Sequence, residues 1–359
     1  MPSPPTTRAA HKLSPQIDPK APALRTACSS GRSSRLGPAA IGAVLLASVL
    51  LLCIGSLPWS AGRVEAPGGA PVRRYEASNL ELALAPPVWW HSTAELDATW
   101  RAEAASGRYV PSRILGTDRL GRDCLARLLA GGAISLMVGI VAAVVAVGVG
   151  SLYGSVAAAS GGRVDPLMMR GVDILYGLPS ILLIVMLAVA AEGALDRMGV
   201  RRGGWAAQAL DLLVLLLAIG ATSWLTVARV IRGQVLSLRA QPFMEACRAI
   251  GVGWSRQFRL HYLPNIVAPV VVYGALAVPA AILSESFLSF LGIGVREPLP
   301  SWGNLAADGL SEVNTVRARW WLLLWPCAAV GTTLLALNFV ADAVRARVDP
   351  ASRGRSTAT

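Results

Sequence analysis

The side chains able to do polar chemistry away from the tails of this chain are few, and several of them share one segment, FMEACRAIGVGWSRQFRLHYLPN, residues 243–265. Glu245 and Arg248 stand three apart, so a helix would make them neighbours. Ala246, Cys247 and Ala249 between and beside them keep that helix shallow. A second position of interest is Glu285 in AILSESFLSF, a carboxyl inside an otherwise apolar run. It either lines a polar pathway or is a buried structural carboxyl bonded to Ser284, Ser286 or a neighbouring helix, and its serine neighbours favour the second reading.

Other chemistries lack their residues. The five cysteines, Cys28, Cys53, Cys124, Cys247 and Cys327, contain no C-x-x-C pair, and His11, His91 and His261 are far apart, so neither a disulfide framework nor a metal site is indicated. An intramembrane enzyme would need a nucleophile with its base, or clustered ligands, within apolar segments. An ion-coupled transporter would need ionisable groups near mid-bilayer. No G-x-x-x-x-G-K-[ST] loop is present to cradle a nucleotide phosphate.

The elements that must position these residues are membrane helices. Of 359 residues, 54% are hydrophobic and 15% charged, with mean hydropathy +0.52, whereas a soluble domain carries roughly a quarter of its residues as charges. A helix needs about twenty residues to cross a bilayer, and six runs qualify: 39–57, 133–159, 174–191, 212–226, 264–291 and 320–341, the fourth short unless Leu210, Asp211, Val227 and Ala228 extend it. The net charge of +12 is read as basic residues flanking these spans rather than as a nucleic-acid surface. The first 38 residues, rich in Pro and Ser, have too little apolar content to fold alone. The run after them exceeds the apolar core of a signal peptide and is read as an uncleaved anchor. With the amino terminus inside, six spans place both termini, Arg163, Arg170 and the Arg229 to Arg259 segment in the cytoplasm, although Arg197, Arg201 and Arg202 then fall outside.

Between the first two spans, STAELDATWRAEAASG predicts a helix capped by Ser92 or Thr93, with Trp89, Trp90 and Trp100 at headgroup depth. LGTDRLGRDCLARLLAGG predicts an interfacial helix capped by Asp118, with Leu120, Cys124, Leu125, Leu128 and Leu129 on one face and Arg119, Arg122 and Arg127 mostly on the other. Gly150 and Gly154 have the G-x-x-x-G spacing of close helix contacts, read as packing within one bundle.

Within the opening segment, Pro242 suits a first helical turn and Gly251 the left-handed position past a helix end, which predicts a helix over 243–250. A second helix is expected over 254–263, with Pro264 opening the fifth span. From these residues alone two readings stand: a rigid knob that sits in another protein's cleft, or an amphipathic connector lying on lipid.

Glu245, Ala246, Gly251, Leu263 and Pro264 resemble, at the right spacing, the EAA…G…LP motif of permease subunits of ATP-binding-cassette importers. Cys247 departs from the usual Ala and His261 from the usual Ile. LGTDRLGRDCLARLL, GGRVDPLMMRGVDILYGLPS, SFLSFLGIGVREPLPSWGNLAADG and LNFVADAVRARVDP are similar to segments of the dipeptide and oligopeptide permeases, specifically the second of their two permease subunits. About 60–112 finds no match. The resemblance implies an all-α integral membrane protein of six transmembrane helices with the type I importer permease fold. It implies a second permease subunit, cytoplasmic ATPases docked on the coupling motif (Glu245, Ala246, Cys247, Ala249, Gly251, Leu263 and Pro264), an extracytoplasmic solute-binding protein, and a bacterial inner membrane. ATP and Mg would be bound by the ATPases, with no cofactor on this chain. The expected organisation is a basic cytoplasmic tail (1–38), a first transmembrane helix (39–58), an extracytoplasmic loop with interfacial helices (59–132), the permease core (133–349, coupling loop 229–263) and a short tail (350–359).

Overall fold

A backbone in lipid must satisfy its own polar groups, so long apolar runs resolve as helices. The computed structural model describes residues 37–65, 71–90, 93–107, 109–199, 204–313 and 319–348; of the expected tails, 1–36 of the first (1–38) and all of the second (350–359) lie outside the described residues. The chain starts with α1 (Pro38–Gly55) and a short α2 (Leu57–Ser60). Two three-residue strands follow, β1 (Arg63–Glu65) and β2 (Pro71–Arg73), which pair antiparallel with Val64 opposite Val72. Next comes α3 (Ala94–Ala105), whose first turn Thr93 caps by accepting from the Leu96 N–H at 3.2 Å.

The core runs through α4 (Cys124–Ser160), α5 (Val164–Tyr176), α6 (Ser180–Arg197) and α7 (Gly204–Arg239) to α8 (Pro242–Ala249), α9 (Trp254–Gln257), α10 (Leu263–Phe290), α11 (Trp302–Leu310) and α12 (Trp321–Val348). Among the described residues five helical stretches are long and apolar enough to cross a membrane, and six if the bent pair α5 and α6 counts as one span. α4 and α7 form the central pair. Gly150 and Gly154 bring them together: a Cβ on Gly154 would lie 2.3 Å from the Ala228 carbonyl oxygen, and one on Gly150 2.7 Å from that of Trp224. The G-x-x-x-G spacing therefore packs within this bundle.

Four expectations are corrected. The third span is not one helix over 174–191. The chain bends by 94° between α5 and α6, because Pro179 bars helical geometry at Leu178 and Gly177 precedes both. Ile174 thus belongs to α5, which is fastened across α7 by Arg232, bidentate to Asp165 at 2.5 and 2.7 Å. The fourth span is longer than 212–226, since α7 reaches Arg239 and carries Arg229 and Arg232 inside a 36-residue helix; the connection to α10 starts eleven residues later than the expected 229.

No interfacial helix starts at Asp118. Helix α4 begins at Cys124, capped by Asp123, whose Oδ1 accepts from the Leu125 and Ala126 N–H groups. Helix and span are one rod, and Arg127 is 1% exposed rather than on a wetted face. Finally, Pro264 sits in the first turn of α10 but does not open the span, which starts at Trp254. α9, a π-turn over Phe258–Tyr262 and α10 run as one rod from Trp254 to Phe290. In the π-turn the Leu263 N–H reaches back to the Phe258 carbonyl, which widens the helix where the Pro264 ring would meet the carbonyl of Leu260.

Candidate functional site

Helix α8 is held at both ends and from beneath. Pro242 occupies its first turn, where a missing N–H costs nothing. Past its end Gly251 has φ +79°. There the Val252 N–H donates to the Cys247 carbonyl at 3.1 Å and the Gly251 N–H to the Arg248 carbonyl at 3.0 Å, the two bonds of a Schellman stop. From beneath, Met244 is fully buried among Val227, Ile231, Val235, Tyr262 and Ile266. Arg248 ties the helix back to α7 through the Arg239 carbonyl.

This pinning leaves the rest of α8 facing outward. Glu245, Ala246 and Ala249 are exposed, with Phe243 45% and Ile250 80% exposed beside them. Glu245 has no ion-pair partner among the described residues. Cys247 is turned toward the following rod, its Sγ 3.6 Å from His261 Nε2, and the His261 ring lies 6.0 Å from that of Phe243. Trp254 and Phe258 stack at 5.2 Å on the next turn. Leu263 and Pro264 are exposed on the rod itself. The structure therefore gathers Glu245, Ala246, Cys247, Ala249 and Gly251 on one small capped helix. Sequence reasoning missed Met244, which anchors it; beside Phe243 in the same turn it carried no signal of which of the two is buried.

A second feature is a groove of about 460 Å³ between the α5–α6 bend, α7 and α10. Its side-chain polar groups are the hydroxyls of Tyr176, Ser180, Thr222, Ser223, Thr226, Tyr273 and Ser284, among mostly aliphatic residues, and no charged side chain lines it. These residues were not anticipated, since they come from segments a hundred residues apart and look ordinary in each.

Glu285 lies on the same rod as Pro264, roughly 30 Å further along at 1.5 Å per residue, and is fully buried. It does not line the groove. Its Oε1 accepts from the Ser289 hydroxyl at 2.7 Å and its Oε2 from Ser286 at 3.4 Å. Ser289 in turn accepts from the Val295 N–H at 3.0 Å, so the carboxyl ties α10 to the turn ahead of α11. The carboxyl is thus bonded within the bundle, as the structural reading expects.

At the end of the bundle opposite α8, Asp118 gathers the arginines once placed on a wetted face. It accepts from the Leu120 and Arg122 N–H groups at 2.9 Å, from Arg122 Nε at 2.6 Å and from Arg127. Burial pushes its carboxyl up, and Arg127 with Arg122 more than offsets that, leaving it below the usual aspartate value. Glu297 completes the cluster, accepting from Arg122 at 2.9 Å and Arg127 at 3.3 Å.

Five helical stretches long and apolar enough to cross a membrane, six if α5 and α6 count as one bent span, with a capped helix displayed at one end, define a multi-span all-α membrane protein. Residues 146–354 match the family described as binding-protein-dependent transport system inner membrane component, and the chain belongs to that family. It is 37% identical over 265 residues to the oligopeptide transport system permease protein OppC of Haemophilus influenzae, covering 74% of this chain and 79% of that one. Against OppC of Escherichia coli the identity is 41% over 257 residues, 72% and 78% of the two chains. The dipeptide transport system permease protein DppC of Bacillus subtilis is 38% identical over 238 residues, 66% and 68%. The chain is thus a membrane permease component of a transport system and not an enzyme.

Proposed function

We propose that this chain is one of two permease subunits of an ATP-driven importer of di- and oligopeptides, in which α8 seats in a cleft of a separate ATPase subunit. The observation that carries this reading is α8 itself, pinned through Met244 and both caps while Glu245, Ala246 and Ala249 stay exposed. A knob held this firmly moves only with the rods it joins, so a push on it is passed to α7 and α10. Coupling of that kind needs both partners to have two states that the contact biases.

The α8 end is assigned to the cytoplasm. It carries Arg163, Arg170, Arg239, Arg248, Arg256, Arg259, Arg345 and Arg347 in short connections or helix ends, where positive residues favour the inside. At the opposite end Arg113, Arg122, Arg127, Arg296 and Arg319 are matched by acids. Both ends of the described chain, Gly37 and Val348, then lie inside, and an external binding protein delivers cargo at the other face.

The groove supplies this subunit's wall of the pathway, facing the second permease. Peptide cargo is supported by the relatives' names and by the wall's chemistry: hydroxyls can bond peptide groups of any sequence, and a wall without charges does not select among side-chain charges. The test is reconstitution in liposomes with the ATPases and second permease. Uptake of a labelled dipeptide should require both binding protein and ATP. Uptake driven by an ion gradient without ATP would contradict the reading.

A further inference from the structure

Thr222, Thr226 and Arg229 stand at i, i+4 and i+7 on α7 and so share one face of that helix. The two threonines line the groove between the α5–α6 bend, α7 and α10. Arg229 comes closer to α8, two residues past Val227, the last α7 residue of the wall. Its guanidinium carbon lies 4.3 Å from the centroid of the Tyr176 ring, which is itself part of that wall. On its α8 side the uncharged groove therefore meets a cation.

Arg229 differs from the arginine that follows it on α7. Arg232 grips Asp165 with two bonds, and the Asp165 side chain is 10% exposed. Arg229 makes one bond, from Nη2 to Asp173 Oδ1 at 2.8 Å, between side chains 43% and 63% exposed. Its Nε and Nη1 find no acceptor among the described residues. An ion pair this exposed contributes little to stability, so another carboxylate can replace Asp173 at small cost. The contact with Tyr176 is a cation–π attraction and occupies none of the N–H groups. A guanidinium with donors to spare suits a planar two-oxygen anion.

Further from α8 the wall offers the opposite chemistry. The hydroxyls of Ser223 and Ser284 donate to the Ile219 and Ala280 carbonyls of their own helices, each at 2.9 Å. With those protons engaged, what remains to each oxygen is the capacity to accept. Along α7, Ser223 and Arg229 are about 9 Å apart at 1.5 Å per residue, the reach of about three residues of extended chain. We propose that Arg229 is a specificity-determining residue of the pathway, which takes the terminal carboxylate of the peptide in exchange for Asp173. The ammonium end lies among the Ser223 and Ser284 oxygens, so cargo passes toward α8 carboxylate first. This assignment rests on the importer reading above and adds to it the direction in which the peptide lies.

The test uses the complete complex in liposomes with binding protein and ATP, and labelled trialanine supplied either as the free acid or as its C-terminal amide. Because every complex is fed by the same binding protein, a change in the acid-to-amide uptake ratio belongs to the permease. Arg229→Gln should lower that ratio about tenfold, the loss of one charge-assisted pair. Arg229→Lys, which keeps the charge without the two-pronged donor, should lower it about threefold. Asp173→Asn removes the competing carboxylate and should hold the ratio at or above the parent's. Equal losses of acid and amide uptake in Arg229→Gln, which leave the ratio where it was, would overturn the assignment and reduce Arg229 to a brace between α5 and α7. A parent complex that imports neither compound would overturn the importer reading itself.

Discussion

Cys247 Sγ and His261 Nε2 lie 3.6 Å apart, so the two positions at which this loop departs from the EAA…G…LP pattern, Cys for Ala and His for Ile, meet in space. A departure of one kind answers the other: a polarisable thiol faces an imidazole where a methyl would face a branched alkyl group. Contacting residues couple by about 0.5–3 kcal/mol. We expect Cys247→Ala and His261→Ile each to weaken ATPase association, and the double variant to recover part of the sum. Strict additivity in association constants would show that the contact carries no coupling.

Glu285→Gln should fold and transport nearly as the parent does, because the amide oxygen still accepts from the Ser289 hydroxyl. Glu285→Leu leaves Ser289 and Ser286 without that acceptor, at a cost of about 1–3 kcal/mol for an unsatisfied group. Melting of the two variants in detergent separates them. Normal melting of Glu285→Gln with lost transport would place the carboxyl in the pathway instead.

Asp118→Asn should be the most damaging single change at the opposite end, costing about 3 kcal/mol, because Arg127 at 1% exposure loses its main partner. The pH dependence has a definite sign. Burial raises the Asp118 carboxyl but Arg127 and Arg122 hold it below its ordinary value, about 3.9. Its contribution is therefore fully present above that value and lost as pH falls through the depressed one. The melting gap between parent and variant should stay constant from about pH 8 to 5 and close only below about pH 4. A gap that closes near pH 6 would point to another group.

Gly154→Val should separate α4 from α7, since even a Cβ would stand 2.3 Å from the Ala228 carbonyl oxygen. Backbone cannot yield as a side-chain tip does, so a loss of at least 1–3 kcal/mol is expected, read as a fall in folded yield. Gly148→Ala on the same helix, where a Cβ meets nothing within 4 Å, serves as the control and should be near neutral.

Much of this architecture was legible in the residues. Pro242 and Gly251 bracket α8 because each suits one end of a helix and neither suits its middle, and the apolar runs located every crossing. What was not legible involves distance in sequence or competition between equals. Asp118 and Asp123 are both good caps five residues apart; only the need of buried Arg127 for a carboxylate assigns Asp118 elsewhere. Gly177-Leu178-Pro179 announces an interruption but not a 94° bend, which depends on what α5 packs against. The groove hydroxyls carry no local signal, and Met244 shows its importance only once α7 and the π-turn close over it.

The most direct measurement of the central claim is the association of purified ATPase subunits with complexes carrying Ala246→Trp, followed by ATP hydrolysis with and without binding protein in lipid. Ala246 is exposed and lies outside the buried cluster that anchors α8 through Met244, so the bundle should insert and melt as the parent does. The bulky ring should overfill the contact, with ATPase association reduced at least tenfold and stimulation by binding protein abolished. Full association and full stimulation in Ala246→Trp would show that α8 docks nothing and lies on the membrane surface as a connector.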